Sequence, residues 1–170
     1  ATWLHAGLLH ILFNMLWVRD LCPVVSHLYG SSRAFIIFTL SGISGFLASS
    51  FVGYLLPFLP RFLAGAQLTV GASASVFGLL GALMYYQRRA PNRLIGPQAA
   101  GFAVVMLVFG LIMPGIDNWA HLGGLAGGFL TSLWLDPLKP ERLDHTIAAI
   151  LCLAASAAAI LLPIITGLKY

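Results

Sequence analysis

Residues 34–60 read AFIIFTLSGISGFLASSFVGYLLPFLP, an uncharged run bounded by Arg33 and Arg61. A bilayer crossing takes about 20 mostly apolar residues, so this stretch is long enough to span. The same test picks out the charge-free windows 1–18, 62–87, 94–116, 118–135 and 146–168. Proline and glycine set their ends. Pro57 and Pro60 close the second, Pro97 suits the first turn of a helix, and Pro114-Gly115 ends the fourth. The pattern predicts six helices near 5–28, 34–56, 72–88, 97–113, 118–135 and 146–168. The third and fifth are short for a full span and are expected to start or end inside the protein. A closed barrel is the other spanning solution, but its period-two alternation is absent. The expected fold class is an all-α, polytopic membrane bundle.

Composition agrees. Of 170 residues, 59% are apolar and 8% charged, against about 25% charged in soluble domains. That supply is too small for a water-facing surface, which excludes a soluble enzyme and a disordered chain. A nucleic-acid binder would need a basic stripe, and none exists, so no nucleic-acid partner is expected. The surroundings implied are a lipid bilayer. The chain opens Ala1-Thr2-Trp3 without Met or a basic flank, so no signal peptide is visible and the chain reads as a piece of a longer one. Cys22 and Cys152 form no motif. The last window, Ala-rich from 148 to 160, reads as an appended span.

Basic residues set the orientation. The segments following the first, third and fifth helices hold Arg19, Arg33, Arg88, Arg89, Arg93, Lys139 and Arg142, and the opposite side holds Arg61 and Lys169. The first group belongs in the cytoplasm, so those three helices begin on the outer side. The bias suits a bacterial inner (plasma) membrane and equally a eukaryotic secretory membrane.

Polar residues within hydrocarbon are expensive and mark functional candidates. Helix one carries His5, His10 and Asn14 in HAGLLHILFN; helix three opens GASASVFG with Ser73 and Ser75; helix five opens DNWAHLGGLAGG with Asp117, Asn118 and His121. All three groups lie toward the outer ends, which brings them to about one depth. His10 and Asn14 share a helix face. Ser73 follows Gly71-Ala72 at a helix start, where backbone N–H groups lack partners and the dipole is positive; such a site can stabilise an oxyanion. A neutral His121 can take a hydroxyl proton near pH 7. Two overlapping pairs, Gly123/Gly127 and Gly124/Gly128, allow close helix contact with Gly78, Gly81 and Ala82.

Each residue alone has a plainer reading. Ser73 could cap or pack a helix, as Ser75 is expected to. His121 could be a core histidine, a proton relay or a metal ligand. Asp117 could orient His121 as a third triad member, although an exposed cap is the simpler role. His27 and His145 are expected in solvated cytoplasmic loops. No HExxH is present, so Leu135-Asp136-Pro137 reads as a helix end rather than a metal motif. Paired intramembrane carboxylates and a transporter's inverted repeats are absent too.

Taken together, HAGLLHILFN, GASASVFG and AHLGGLAGG resemble the three motifs of the rhomboid intramembrane serine proteases, in the family's order and over about residues 1–136. The resemblance implies Ser73 as nucleophile and His121 as general base. His10, Asn14 and the Ser73 backbone N–H would bind the oxyanion, and Phe77 would pack on the catalytic histidine. His5 and Gly71 would flank the site, Gly124 and Gly128 would make the close helix contact, and the helix near 97–113 would be a lateral gate. It implies cleavage of transmembrane segments of other proteins near the outer membrane face, with no cofactor and no metal. The alternative is an inactive rhomboid-like protein that binds membrane clients, although such relatives usually lack the Ser or the His.

Three departures stand out. Ala74 replaces the usual Gly, Ser26 stands four residues before Gly30 where the family often has Glu, and the family's first helix with its long loop is missing upstream of Ala1. Without that helix the chain is not expected to be active alone. The expected organisation is a catalytic core at 1–136, a cytoplasmic loop at 137–145 and an additional transmembrane helix at 146–170.

Overall fold

The computed structural model describes residues 2–3, 7–56, 58, 69–90, 95–113 and 115–166. They form six helices: α1 Leu8–Tyr29, α2 Ser31–Leu55, α3 Ser73–Arg89, α4 Ile95–Ile112, α5 Asn118–Trp134 and α6 Leu143–Thr166. No strand occurs among the described residues, so the all-α expectation holds. Four helices, α1, α2, α4 and α6, are long and apolar enough to cross a membrane. The other two have 17 residues each, as their short windows predict.

Those two short helices sit at the centre. Eleven residues of α3 are buried, among them Phe77, Leu79 and Leu80. Around α3 lie α2 and α5, and the three approach closely because small residues face one another. A methyl group added at Gly128 would overlap the carbonyl oxygen of Gly78, and one at Gly124 would overlap that of Ala74. At the same contact, Gly45 of α2 would bring an added methyl to 2.5 Å from the carbonyl oxygen of Ala120 and 2.7 Å from Cβ of Ala74. The Ser44 hydroxyl donates to the carbonyl of Gly123 at 2.8 Å. In hydrocarbon, where apolar burial gives no drive for helices to associate, such contacts supply the packing. Tyr29 at the end of α1 is fully buried and donates to the carbonyl of Ala82 at 2.8 Å, which pins α1 to α3.

The outer elements are looser. The inward residues of α4 are Gly96, Ala99, Ala103 and Gly110. No residue of α6 is buried, which fits its reading as an appended span; it packs on α2, with the Ser32 and Thr146 hydroxyls 3.2 Å apart.

The end that holds the α1–α2 junction differs from the sequence reading. A loop is expected between the first two helices, but α1 and α2 meet at the single residue Gly30, whose φ of 90° lies in the region that glycine alone enters freely. Arg19 and His27 consequently lie within α1, exposed on turns that continue past the apolar run. Arg33 lies in the first turn of α2 and is buried. Its guanidinium donates to the Asp136 carbonyl at 2.6 Å, which lets a charge sit inside. The Glu141 carboxylate lies over Gly30 and accepts from the Arg33 backbone N–H at 3.0 Å. A carboxylate from the α5–α6 connection thus caps α2. His145 likewise belongs to α6 rather than a loop, and its Nδ1 accepts from the Arg142 N–H at 3.1 Å. Leu135-Asp136-Pro137 is the end of α5, as expected, with Asp136 paired to Arg89 at 3.0 Å.

Candidate active site

Ser73 is the first residue of α3 and is half-buried. No side chain caps this helix start, so its first-turn N–H groups are without helical partners. The chain reaches it through Gly71, whose φ of 116° a side chain would strain. Space makes the same demand. A methyl group added at Gly71 would come to 2.6 Å from Nε2 of His10 and 3.6 Å from Nδ2 of Asn14. His10 and Asn14 therefore face the backbone that leads into Ser73, one turn apart on α1. Asn14 is buried, and its Nδ2 donates to the His10 carbonyl at 2.8 Å.

His121 lies in the first turn of α5, 5% exposed. Its imidazole stacks on Phe77 with centroids 4.2 Å apart and planes 12° apart. Phe77 follows Ser73 by four residues and shares its helix face, so the ring that supports His121 stands directly beneath Ser73. A flat stack covers one face of the imidazole with the Phe77 ring. Nδ1 of His121 has no hydrogen-bond partner among the described residues.

Asp117 does not act on that nitrogen. It is the N-cap of α5, accepting from the Trp119 and Ala120 N–H groups at 3.1 and 3.0 Å. The expected exposed cap is instead half-buried, because the hydroxyls of Ser49 and Thr69 also donate to it. Ser75 is fully buried against Gly42, with no hydrogen-bond partner among the described residues; it fills space, as expected. His5 lies outside the described residues. No cluster of three potential metal ligands occurs among the described residues.

The sequence-predicted residues thus meet in pairs: Phe77 with His121, Gly71 with His10 and Asn14, Gly124 with Ala74, and Gly128 with Gly78. Sequence reasoning missed the part played by α2. Ser41, Gly45 and Ser49 recur every four residues, a small-residue stripe of the kind that marks a packed face.

A family model for the Rhomboid domain matches residues 1–137. The chain belongs to the rhomboid family. It is therefore an integral, multi-pass membrane protein. It is 32% identical over 157 residues to the rhomboid protease GluP of Bacillus subtilis (strain 168), covering 91% of this chain and 29% of that protein. To RHOMBOID-like protein 7 of Arabidopsis thaliana it is 36% identical over 146 residues, 79% of this chain and 41% of the relative. To inactive rhomboid protein 1 of Rattus norvegicus it is 34% identical over 149 residues, 85% of this chain and 16% of the relative. The chain spans less than half the length of each of these three. The family match ends three residues past α5, and α6 lies beyond it.

Proposed function

We propose that this chain carries the catalytic core of an intramembrane serine endopeptidase, with residues 1–136 as that core and α6 as an added span. The observation that carries the reading is the convergence of three helix starts: His121 stacked on Phe77 one turn below Ser73, with His10 and Asn14 against Gly71. In this reading the Ser73 hydroxyl attacks the scissile carbonyl carbon while His121 takes its proton. The new oxyanion is held by His10, Asn14 and the Ser73 backbone N–H. When the C–N bond breaks, His121 returns the proton to the leaving amine. Water then hydrolyses the acyl-enzyme with His121 again as base. Asn14 has to turn from the His10 carbonyl toward the oxyanion, which makes its contribution specific to the transition state. No step needs a cofactor.

The substrates are transmembrane segments of other proteins, cut near the outer face of a bacterial plasma membrane. Seven of the nine basic residues at the opposite end support that orientation. A substrate helix arrives between α1 and α4. What suits α4 as the gate is its narrow footing among the described residues: small inward residues, an edge contact of Phe102 with Trp17 at 5.4 Å, a hydrogen bond from Asn118 to its Leu107 carbonyl at 3.0 Å, and a long one from its Gly96 N–H to Gln87 at 3.4 Å.

The test is cleavage of a tagged transmembrane substrate in liposomes by the protein at its full natural length. Product that disappears with Ser73→Ala supports the reading, and product that persists refutes it. The second reading, an inactive protein that binds membrane clients, draws on the similarity to inactive rhomboid protein 1. It expects client capture unchanged by loss of the Ser73 hydroxyl and no cleavage by the unmodified protein.

A further inference from the structure

Asp117 gathers donors from three separate parts of the chain. One oxygen, Oδ1, accepts the Trp119 and Ala120 N–H groups and so caps α5. The other, Oδ2, accepts the Thr69 hydroxyl at 2.6 Å and the Ser49 hydroxyl of α2. The two hydroxyls lie 3.3 Å from each other. Thr69 stands four residues before Ser73, and Asp117 stands four residues before His121. The approach to α3 thus joins the start of α5 at one carboxylate, at the same remove from each half of the proposed dyad.

This joint answers a need that the helices leave open. Backbone 69–72 is not helical, passes through Gly71 at positive φ, and enters α3 without a side-chain cap. Packing fixes α3 against α5 at Ala74 and Gly78, which meet Gly124 and Gly128. That contact begins one residue after Ser73 and lies wholly on the helix, so it does not hold the non-helical approach 69–72.

We infer that Asp117, through Thr69 and Ser49, is a positioning residue that sets the Ser73–His121 distance. It clasps the backbone segments that carry the two groups and does not hydrogen-bond to the imidazole itself. The inference rests on the protease reading above. A misplacement of about 1 Å costs on the order of 10²-fold in rate, whereas the clasp itself touches none of the proposed reacting atoms.

The experiment compares unmodified protein, Thr69→Val, Thr69→Ser and Ser49→Ala for cleavage kinetics in liposomes, labelling rate by a fluorophosphonate, and thermal unfolding. Thr69→Val removes one hydroxyl from Oδ2 and leaves the cap on Oδ1. It is expected to lower kcat and the labelling rate by about 10- to 100-fold, with KM and the unfolding midpoint close to the unmodified protein. Thr69→Ser is expected to restore the rate to within about threefold. Combining Thr69→Val with Asp117→Ala should cost no more than Asp117→Ala alone, because both break one connection. If Thr69→Val does not fold, Ser49→Ala carries the same expectation with a smaller loss. Unchanged kcat in Thr69→Val, a change confined to KM, or a loss that Thr69→Ser shares equally overturns the clasp. Absence of cleavage and labelling in the unmodified protein is a different result: it overturns the protease reading, and the clasp's catalytic role with it.

Discussion

Helices α3 and α6 are opposites. Eleven of the 17 residues of α3 are buried, and none of the 24 residues of α6 is. Yet α6 is the more apolar, a run of Ile, Leu and Ala, while α3 carries Ser73, Ser75, Gly78, Gly81, Gln87 and two arginines. A water-soluble fold would place them the other way round. Lipid reverses the rule, because an apolar surface is at home against acyl chains and gains nothing by burial. Close backbone contact and satisfied polar groups are what gain from the interior. The helices with glycine, serine and histidine therefore collect at the centre, and the same step brings reactive side chains together.

That contrast can be broken most severely at Gly128. Replacing it with Val should abolish the folded protein, since the atoms the side chain would strike are all backbone of Gly78 and cannot swing away. The check is whether a monodisperse, helical species survives in detergent. Gly124→Ala, smaller but aimed at the Ala74 backbone, should cost about 1–3 kcal/mol and lower the thermal midpoint.

The chemistry offers a sharper cut between inner and outer helices. Asn14 belongs to α1, which is otherwise largely exposed to lipid. Asn14→Ala should lower turnover by about 10²–10³-fold while the unfolding midpoint stays nearly level. Equal losses of turnover and stability would show that Asn14 serves packing instead.

At the far end, Arg33→Met should destabilise by about 1–3 kcal/mol, because it leaves the Asp136 carbonyl without its buried donor. Arg89→Ala removes an ion pair whose arginine is 44% exposed, and should cost at most about 1 kcal/mol. Denaturant or thermal titration of the pair decides this. The smallest effect belongs to α6 and the lipid face of α4. Leu153→Ala and Gly101→Ala should each stay within about 0.5 kcal/mol. Leu153 is exposed, and nothing lies within 4 Å of an added methyl at Gly101.

Much of this arrangement is legible in the one-dimensional pattern. The charge-free windows locate all six helices, although α1 runs on past Arg19 to Tyr29, and the shortness of α3 and α5 already sets them apart from full spans. Motif order brings Ser73, His121, His10 and Asn14 to attention, because polar groups in hydrocarbon are few enough to weigh singly. The α1–α2 corner is hidden for a reason: a glycine that ends one helix and starts the next looks the same as a loop glycine. The contact of α2 with α5 is hidden because Ser41, Gly45 and Ser49 sit in a run that is apolar throughout, which blurs its stripe. Asp117 is misjudged as exposed because its partners are 48 and 68 residues away. A lone Thr and a lone Ser carry no spacing that would announce them.

The central claim is that Ser73 is an activated nucleophile with His121 as its base. Labelling of the full-length protein in detergent with a fluorophosphonate, which reacts with activated serines, addresses it most directly. The account predicts labelling of the unmodified protein and none in Ser73→Ala or His121→Ala. A well-folded protein that stays unlabelled, or labelling that survives either substitution, would contradict it.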